Sequence, residues 1–277
     1  MINKVMKAVK ELISLFKEIG ENRQLLFRFS LNDFRARFAG NMLGIFWAFI
    51  QPIVTVLTYW FVFSVGFKTK LTDGKYPFVA FLVMGLIPWF YFSDVLISGT
   101  GVFREYSYLV KKVVFNVKLL PTMKMISNLF MHGFFFFVGV IICAIYGFLP
   151  TFHILQIFYY CFCLMAFLIG VIWITSSIQP FLPDINQFIA VIMQILIWAT
   201  PILYSISSFS DHPKIVFLLK SNPLYYVVTG YREAVFSDGW FWQHPKETIY
   251  FWGVTLLLLF IGVSIFKQLR PHFSDVL

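Results

Sequence analysis

The chain has 277 residues, of which 59% are hydrophobic and only 13% charged, and its formal charge is +9. A soluble domain carries about 25% charged residues, so the composition excludes an ordinary water-soluble globule and points to lipid as the solvent. The basic excess does not read as a nucleic-acid surface, because Lys and Arg gather beside apolar runs, where an anionic lipid surface attracts them.

Residues 1–42 read as cytoplasmic amphipathic and interfacial helices. Ile2, Val5, Val9, Leu12, Phe16 and Ile19 recur at helical spacing among Lys7, Lys10, Lys17 and Glu18. That predicts an amphipathic helix ending near Gly20, and not a cleaved signal, since no apolar core follows the lysines. In "FRFSLNDFRARF" (27–38), Phe27, Leu31, Phe34 and Phe38 make one stripe and Arg28, Asn32 and Arg35 the opposing one. Asp33 stands one turn from Arg37. A helix lying flat in the headgroup layer follows, apolar face down and arginines toward phosphates. Arg28, Arg35 and Arg37 are therefore candidates for receiving an anionic lipid-linked headgroup; a plain topology anchor is the alternative.

A hydrocarbon core needs about 20 apolar residues per helix. Spans are expected at 43–67, 76–98, 125–147, 153–179, 185–205 and 248–267, with Pro52 kinking the first and Pro88 interrupting the second. Residues 125 to 183 carry no Asp, Glu, Lys or Arg, and "YGFLPTFH" (146–153) supplies the turn inside that stretch. Six spans put both termini on one side, leaving 268–277 as a tail. With that side inward, the inner segments hold 15 of the 22 Lys and Arg residues. Positive charge marks the cytoplasmic side of a plasma membrane.

Two connections stand out. The inner loop 103–124 places Tyr106 and Tyr108 beside Lys111 and Lys112, which fits a docking helix for a cytoplasmic partner as well as a solvated loop. Outside, 211–238 is apolar enough to enter the membrane, yet Ser221-Asn222-Pro223 cuts it into pieces too short to cross. Two re-entrant half-helices, or an interfacial hairpin, are expected; irregular backbone at membrane depth points to a pathway.

Chemistry is sparse. Cys143, Cys161 and Cys163 lie in apolar stretches and read as packing residues. The sequence has no G-x-x-x-x-G-K-[ST] and no H-E-x-x-H, and its five His are widely separated. No metal site or catalytic residue is expected, and no cofactor on this chain. Asp94 and Asp184 sit near inner span ends, with Asp184 a structural acid at the start of span five. An energy source is expected on another chain, since no charge relay for gradient coupling crosses the spans.

"FSLNDFRARFAGNMLGIFWAFIQP", "YLVKKVVFNVKLLP", "PDINQFIAVIMQILIWATPILY" and "SNPLYYVVTGYREAVF", in that order, resemble the membrane subunit of ABC-2-type polysaccharide exporters over nearly the full length. The resemblance implies an all-α bacterial membrane protein and a homodimer of this chain. It also implies two copies of a separate ATP-binding cassette subunit, which would bind ATP and Mg. The cargo implied is an undecaprenyl-diphosphate-linked polymer crossing among membrane lipids. On that resemblance Arg104, Glu105, Tyr108, Lys111 and Lys112 would couple to the ATPase, and Asn222, Pro223, Tyr231 and Arg232 would close the outer exit. Spans one and five would line the path, where Trp89, Phe90, Tyr91, Tyr204 and Tyr225 could stack on sugar or polyol faces. Two positions depart from the family pattern: Pro183 precedes Asp184, and Asn116 follows Phe115. The basic inner face suits a polyanion, so teichoic acid is the expected cargo, with O-antigen or capsule as the alternative. A membrane-embedded transferase using Asp94 and an exporter of drugs or small lipids are the rivals.

Overall fold

The computed structural model describes residues 14, 17–39, 44–68, 76–111 and 116–277. The helix expected over residues 2–19 lies almost wholly outside them, as does Lys112. The described residues are all-helical: α1 (Arg23–Phe38), α2 (Phe46–Trp60, continued by a π-type turn Phe61–Gly66), α3 (Phe78–Thr100), α4 (Leu119–Ile145), α5 (Gln156–Ile178), α6 (Ile185–Ala199), α7 (Pro213–Lys220), α8 (Pro223–Phe236) and α9 (Pro245–Leu269). Two single turns, Val102–Glu105 and Ser107–Val110, join α3 toward α4.

Among the described residues, five helical segments are long and apolar enough to cross a bilayer: Phe46–Gly66, Phe78–Thr100, Leu119–Ile145, Phe152–Ile178 and Pro245–Val276. The sixth apolar helix, α6, has 15 residues. At 1.5 Å per residue it covers roughly 22 Å of a core about 30 Å thick. It stops six residues before its expected end because Thr200 precedes Pro201 and adopts an extended conformation (φ −101, ψ 126), as the proline ring requires of the residue before it.

Other boundaries shift for reasons of charge and proline. α4 begins six residues before the apolar run at 125, because Lys124 is paired and Pro121 falls in the first turn, where its missing N–H has no helical acceptor. The loop expected over 103–124 shortens accordingly. α9 begins at Pro245, a favoured first helical residue, and so absorbs Lys246 and Glu247. Pro88 does not interrupt α3, which runs through it unbroken.

The core is built by α3, α4, α5, α8 and α9, with α9 laid along α5. Small residues permit that contact: a Cβ on Gly262 would stand 2.8 Å from the Gly170 carbonyl oxygen, and one on Gly170 would stand 2.9 Å from the Leu259 nitrogen. By contrast α2 has no buried residue and α6 buries only Ile189 and Met193.

At the end of the bundle away from α1, the break after α6 is held by two side chains of the 213–236 segment. Asn222 caps α8 by accepting from the Leu224 N–H (3.0 Å) and donates to Thr200 Oγ1 (2.8 Å). Arg232, 8% exposed, donates to the carbonyls of Phe81 (3.2 Å), Pro201 (2.8 Å) and Ile202 (2.9 Å), its guanidinium carbon 3.4 Å from the Phe81 ring centroid. One side chain thus satisfies backbone acceptors on α3 and on the irregular segment. Replacing Arg232 by Ala should lower stability by about 3 kcal/mol, the scale of losing several charge-assisted hydrogen bonds net of desolvation. Arg232→Lys should fall between the two. Thermal unfolding in detergent is the measurement; an unchanged midpoint for the Ala variant would contradict the stapling role.

Candidate functional site

The face that α1 turns toward the bundle is not its apolar stripe. Leu26, Ser30 and Asp33 are the buried residues, at 3%, 0% and 5% exposure, and Arg37 follows one turn later. Their spacing of four, three and four residues makes a single helical face. Ser30 Oγ donates to the Met123 carbonyl (3.1 Å). Asp33 Oδ1 receives Lys124 Nζ (2.6 Å) and the Tyr106 hydroxyl (2.6 Å), and Lys124 also reaches Glu105 (2.8 Å). Arg37 Nη1 donates to Asn128 Oδ1 (2.7 Å) and Nη2 lies 3.8 Å from Asp33. The expected apolar stripe instead packs partly on α4, with Phe27 and Phe34 against Phe130 at 6.0 and 5.5 Å. The helix is oriented by a polar interior contact and not by oil alone.

Burial would raise the Asp33 carboxyl, but the Lys124 charge and the hydrogen bonds outweigh it and hold the group below the ordinary carboxylate value. Burial and the bond to Asp33 push the Tyr106 hydroxyl well up. Glu18 is brought down to about 2: its burial acts upward, and hydrogen bonds from Lys118, Ser14 and Asn116 overcome it.

Beside this cluster, between α1, α2 and the α3–α4 pair, lies a cavity of about 310 Å³. Arg37, Gln51, Thr55 and Asp94 supply its polar wall, and Trp47 and Phe90 are among its aromatics. Arg37 Nη2 is buried without a hydrogen bond. The Asp94 carboxylate accepts no hydrogen bond from a described residue, and the two groups do not form an ion pair with each other. A second cavity of about 300 Å³, lined only by apolar residues, continues between α2, α3 and α4 and shares Pro52, Phe90 and Phe135 with the first. A polar chamber opening onto an apolar one has the chemistry to hold an amphiphile, head in the first and chain in the second.

The other candidate residues fall as follows. Arg28 and Arg35 are exposed on α1, away from Arg37. Trp89 and Tyr91 are in the core, with the Tyr91 hydroxyl donating to the Met125 carbonyl (3.1 Å), whereas Phe90 borders both cavities. Successive helical residues point about 100° apart, and three neighbours cannot share one surface. Tyr204 donates to the Trp198 carbonyl (2.6 Å), and Tyr225 lines two small cavities at the end of the bundle away from α1. Tyr231 is fully buried against His132 Nε2 (2.8 Å), and Pro223 is the first residue of α8. Arg104, Tyr108 and Lys111 are exposed on the short turns, with Glu105 beside them bound to Lys124, and Tyr106 is turned inward. Asp184 is exposed at the start of α6 and its side chain makes no cap. Sequence reasoning missed Lys124 and Asn128 as site residues and weighed Asp94 only as the acid of a rival transferase. An acid within an apolar run is the signal that drew attention to Asp94.

The sequence profile described as "ABC-2 type transporter" matches residues 25–236. Among known proteins, the chain is 25% identical over 264 residues to the O-antigen export system permease protein RfbA of Myxococcus xanthus, covering 95% of this chain and 99% of that one. A protein of the same name from Klebsiella pneumoniae is 26% identical over 270 residues, with 96% and 99% covered. The polysialic acid transport protein KpsM of Escherichia coli is 23% identical over 239 residues, with 86% and 90% covered.

Removing Lys124 leaves buried Asp33 with only the Tyr106 hydroxyl and Arg37 at 3.8 Å, so Lys124→Met should cost about 3 kcal/mol, and adding Asp33→Asn should restore part of it. Because Asp33 titrates below its unfolded value, its contribution is complete above about pH 4 and fades as pH falls through the lowered folded value. Thermal unfolding across pH should show an acid limb that Asp33→Asn flattens.

Proposed function

The chain belongs to the ABC-2 type transporter family, and from that premise we propose that it is the membrane subunit of an exporter that moves lipid-linked polysaccharide, powered by a separate ATP-hydrolysing subunit. Two copies of this chain would enclose the path and two ATPase subunits would dock beneath them. The basic end of the bundle, carrying α1 and the 102–111 turns, would face the cytoplasm, in keeping with the positive-inside rule. The docking surface would be the exposed Arg104, Tyr108 and Lys111, with Glu105 tying it to Lys124.

The observation that carries this reading is the two-part cleft. Its polar chamber sits where α1 meets α2, and Arg37, whose Nη2 has no hydrogen bond, lines it as the cation for a phosphate. Guanidinium is suited to that partner by its planar fork of donors. The adjoining apolar cavity would take the first part of a prenyl chain. Exposed Arg28 and Arg35 would raise the local concentration of anionic headgroups without fixing their geometry.

For the cargo, the relatives' names favour O-antigen or a related polysaccharide over teichoic acid. The structure also weakens the charge argument for a polyanion. Lys118 and Lys124, counted from sequence as part of a basic inner face, are engaged by Glu18, Asp33 and Glu105. We therefore propose a polysaccharide whose charge is set elsewhere, on an isoprenoid diphosphate.

In cells, Arg37→Gln should reduce polymer export at least tenfold, and the Arg28→Ala, Arg35→Ala pair should reduce it less, with copurification of the ATPase unchanged in both. Surface polymer and retained lipid-linked polymer are the quantities to measure. Normal export with Arg37→Gln would remove the cleft from the pathway.

A further inference from the structure

We propose that the cleft is a two-point site that selects a lipid whose phosphate is followed directly by hydrogen-bond donors, with Arg37 taking the phosphate and Asp94 taking the hydroxyl or acetamido N–H groups of the first sugar. This rests on the reading of the cleft as a headgroup site and adds to it the residue that tells a sugar-bearing head from a bare one.

The argument is one of unsatisfied opposites. Arg37 and Asp94 line the same chamber, carry opposite charges and are not joined to each other. Asp94, exposed on α3, receives no hydrogen bond from any described residue, and Arg37 Nη2, 3.8 Å from Asp33, makes no hydrogen bond. A chamber shaped for phosphate or diphosphate alone would present donors, and a carboxylate facing it would repel the ligand. An ionised carboxylate only accepts hydrogen bonds, so its presence fits a ligand that brings donors next to its phosphate. Gln51 and Thr55 stand in the same wall and can donate or accept, which suits a ring bearing several hydroxyls. Trp47 offers an apolar face to such a ring. The chamber's 310 Å³ is at the small end of ligand pockets, about 300–1,000 Å³. It has room for one glycosyl phosphate and not for a polymer, so selection would act at the lipid-proximal sugar and leave the rest of the chain unread.

A phospholipid with an ammonium beside its phosphate offers related two-point chemistry, and the experiment separates it. The permease with its ATPase subunit, in phosphatidylglycerol nanodiscs, would be titrated with three probes: undecaprenyl diphosphate, N-acetylglucosaminyl diphosphoundecaprenol and phosphatidylethanolamine. The wild type should bind the glycosylated lipid about tenfold or more tightly than the bare diphosphate, the scale of a charge-assisted hydrogen bond. Asp94→Ala should erase that preference while leaving binding of the bare diphosphate equal or tighter. Asp94→Asn, which keeps the shape and part of the accepting capacity, should show an intermediate preference at an unchanged melting temperature. Arg37→Gln should weaken both undecaprenyl lipids. An undiminished preference in both Asp94 variants would overturn the inference, as would phosphatidylethanolamine competing as well as the glycosylated lipid. If Arg37→Gln weakens both lipids while neither Asp94 variant alters the preference, the headgroup reading stands and this inference falls. If Arg37→Gln changes neither lipid's binding, the headgroup reading falls with it.

Discussion

The amine of Lys124, 3% exposed, is the contact on which the basic end of this molecule is organised. It sits at the start of a long apolar helix and bonds Asp33 of the basic helix and Glu105 of the turn that follows α3. Three segments far apart in sequence meet at one nitrogen. Removing such a charge from water is expensive, and the cost is met only by close, fully formed partners. That requirement fixes the roll of α1 about its axis, because only one roll brings Asp33 to Lys124 and the Tyr106 hydroxyl together. The same roll carries Arg37, one turn on, to the mouth of the cleft. The position of the chamber's cation is therefore a consequence of an ion pair one helical turn away.

The opposite end follows the same rule with backbone in place of a counter-ion. α6 is too short to cross the hydrocarbon and ends in an irregular segment whose carbonyls need donors. Arg232 and Asn222 supply them. A charge buried among carbonyl dipoles is stable for the reason Lys124 is stable: each polar group present has a partner at hydrogen-bond distance. Both residues lie in a segment whose polarity and proline break look, in isolation, like features of a moving part. In this structure they lock α3, α6 and α8 to one another, and any opening at that end must replace four or more hydrogen bonds.

Much of the fold was legible because long uncharged runs have few alternatives to membrane helices, and the breaks at Gly147-Phe148-Leu149-Pro150 and Asn222-Pro223 are written in residue chemistry. Boundaries were blurred wherever a charge was silently paired. Lys124 looked like the end of a loop because its partner Asp33 is 91 residues away, a relation no local pattern carries. The face of α1 that meets the bundle was not foreseen for the same reason: Phe27, Leu31, Phe34 and Phe38 make a clear stripe, yet Ser30 and Asp33 had unseen partners on α4. Arg37 was legible as a candidate; its chamber was not, since Gln51, Thr55 and Asp94 come from two other helices and are unremarkable singly. The cluster Trp89-Phe90-Tyr91 shows the opposite error, in which adjacency in sequence was allowed to stand for adjacency on a surface.

The cleft also owes its existence to what is weakly packed. Protein interiors approach crystal density, yet two cavities of about 300 Å³ both lie along α2, the helix that buries none of its residues. The wall opposite α2 is the well-packed α3–α4 pair, where Phe90 and Phe135 touch each other with ring centroids 6.2 Å apart. One wall of the chamber is therefore anchored to the core and the other rests against it through few contacts. Because α2 buries none of its residues, displacing it would cost less packing than displacing a helix of the α3, α4, α5, α8 and α9 core. Arg37 stands at the junction of the two regimes: its Nη1 is tied to Asn128 on the fixed wall, and its Nη2 lies 3.8 Å from Asp33 with no hydrogen bond. An amphiphile that satisfied Nη2 and filled the apolar cavity would draw α2 onto the core through contacts it makes on both walls. The loose helix is thus the part of the structure on which ligand binding can act with the least loss of existing packing.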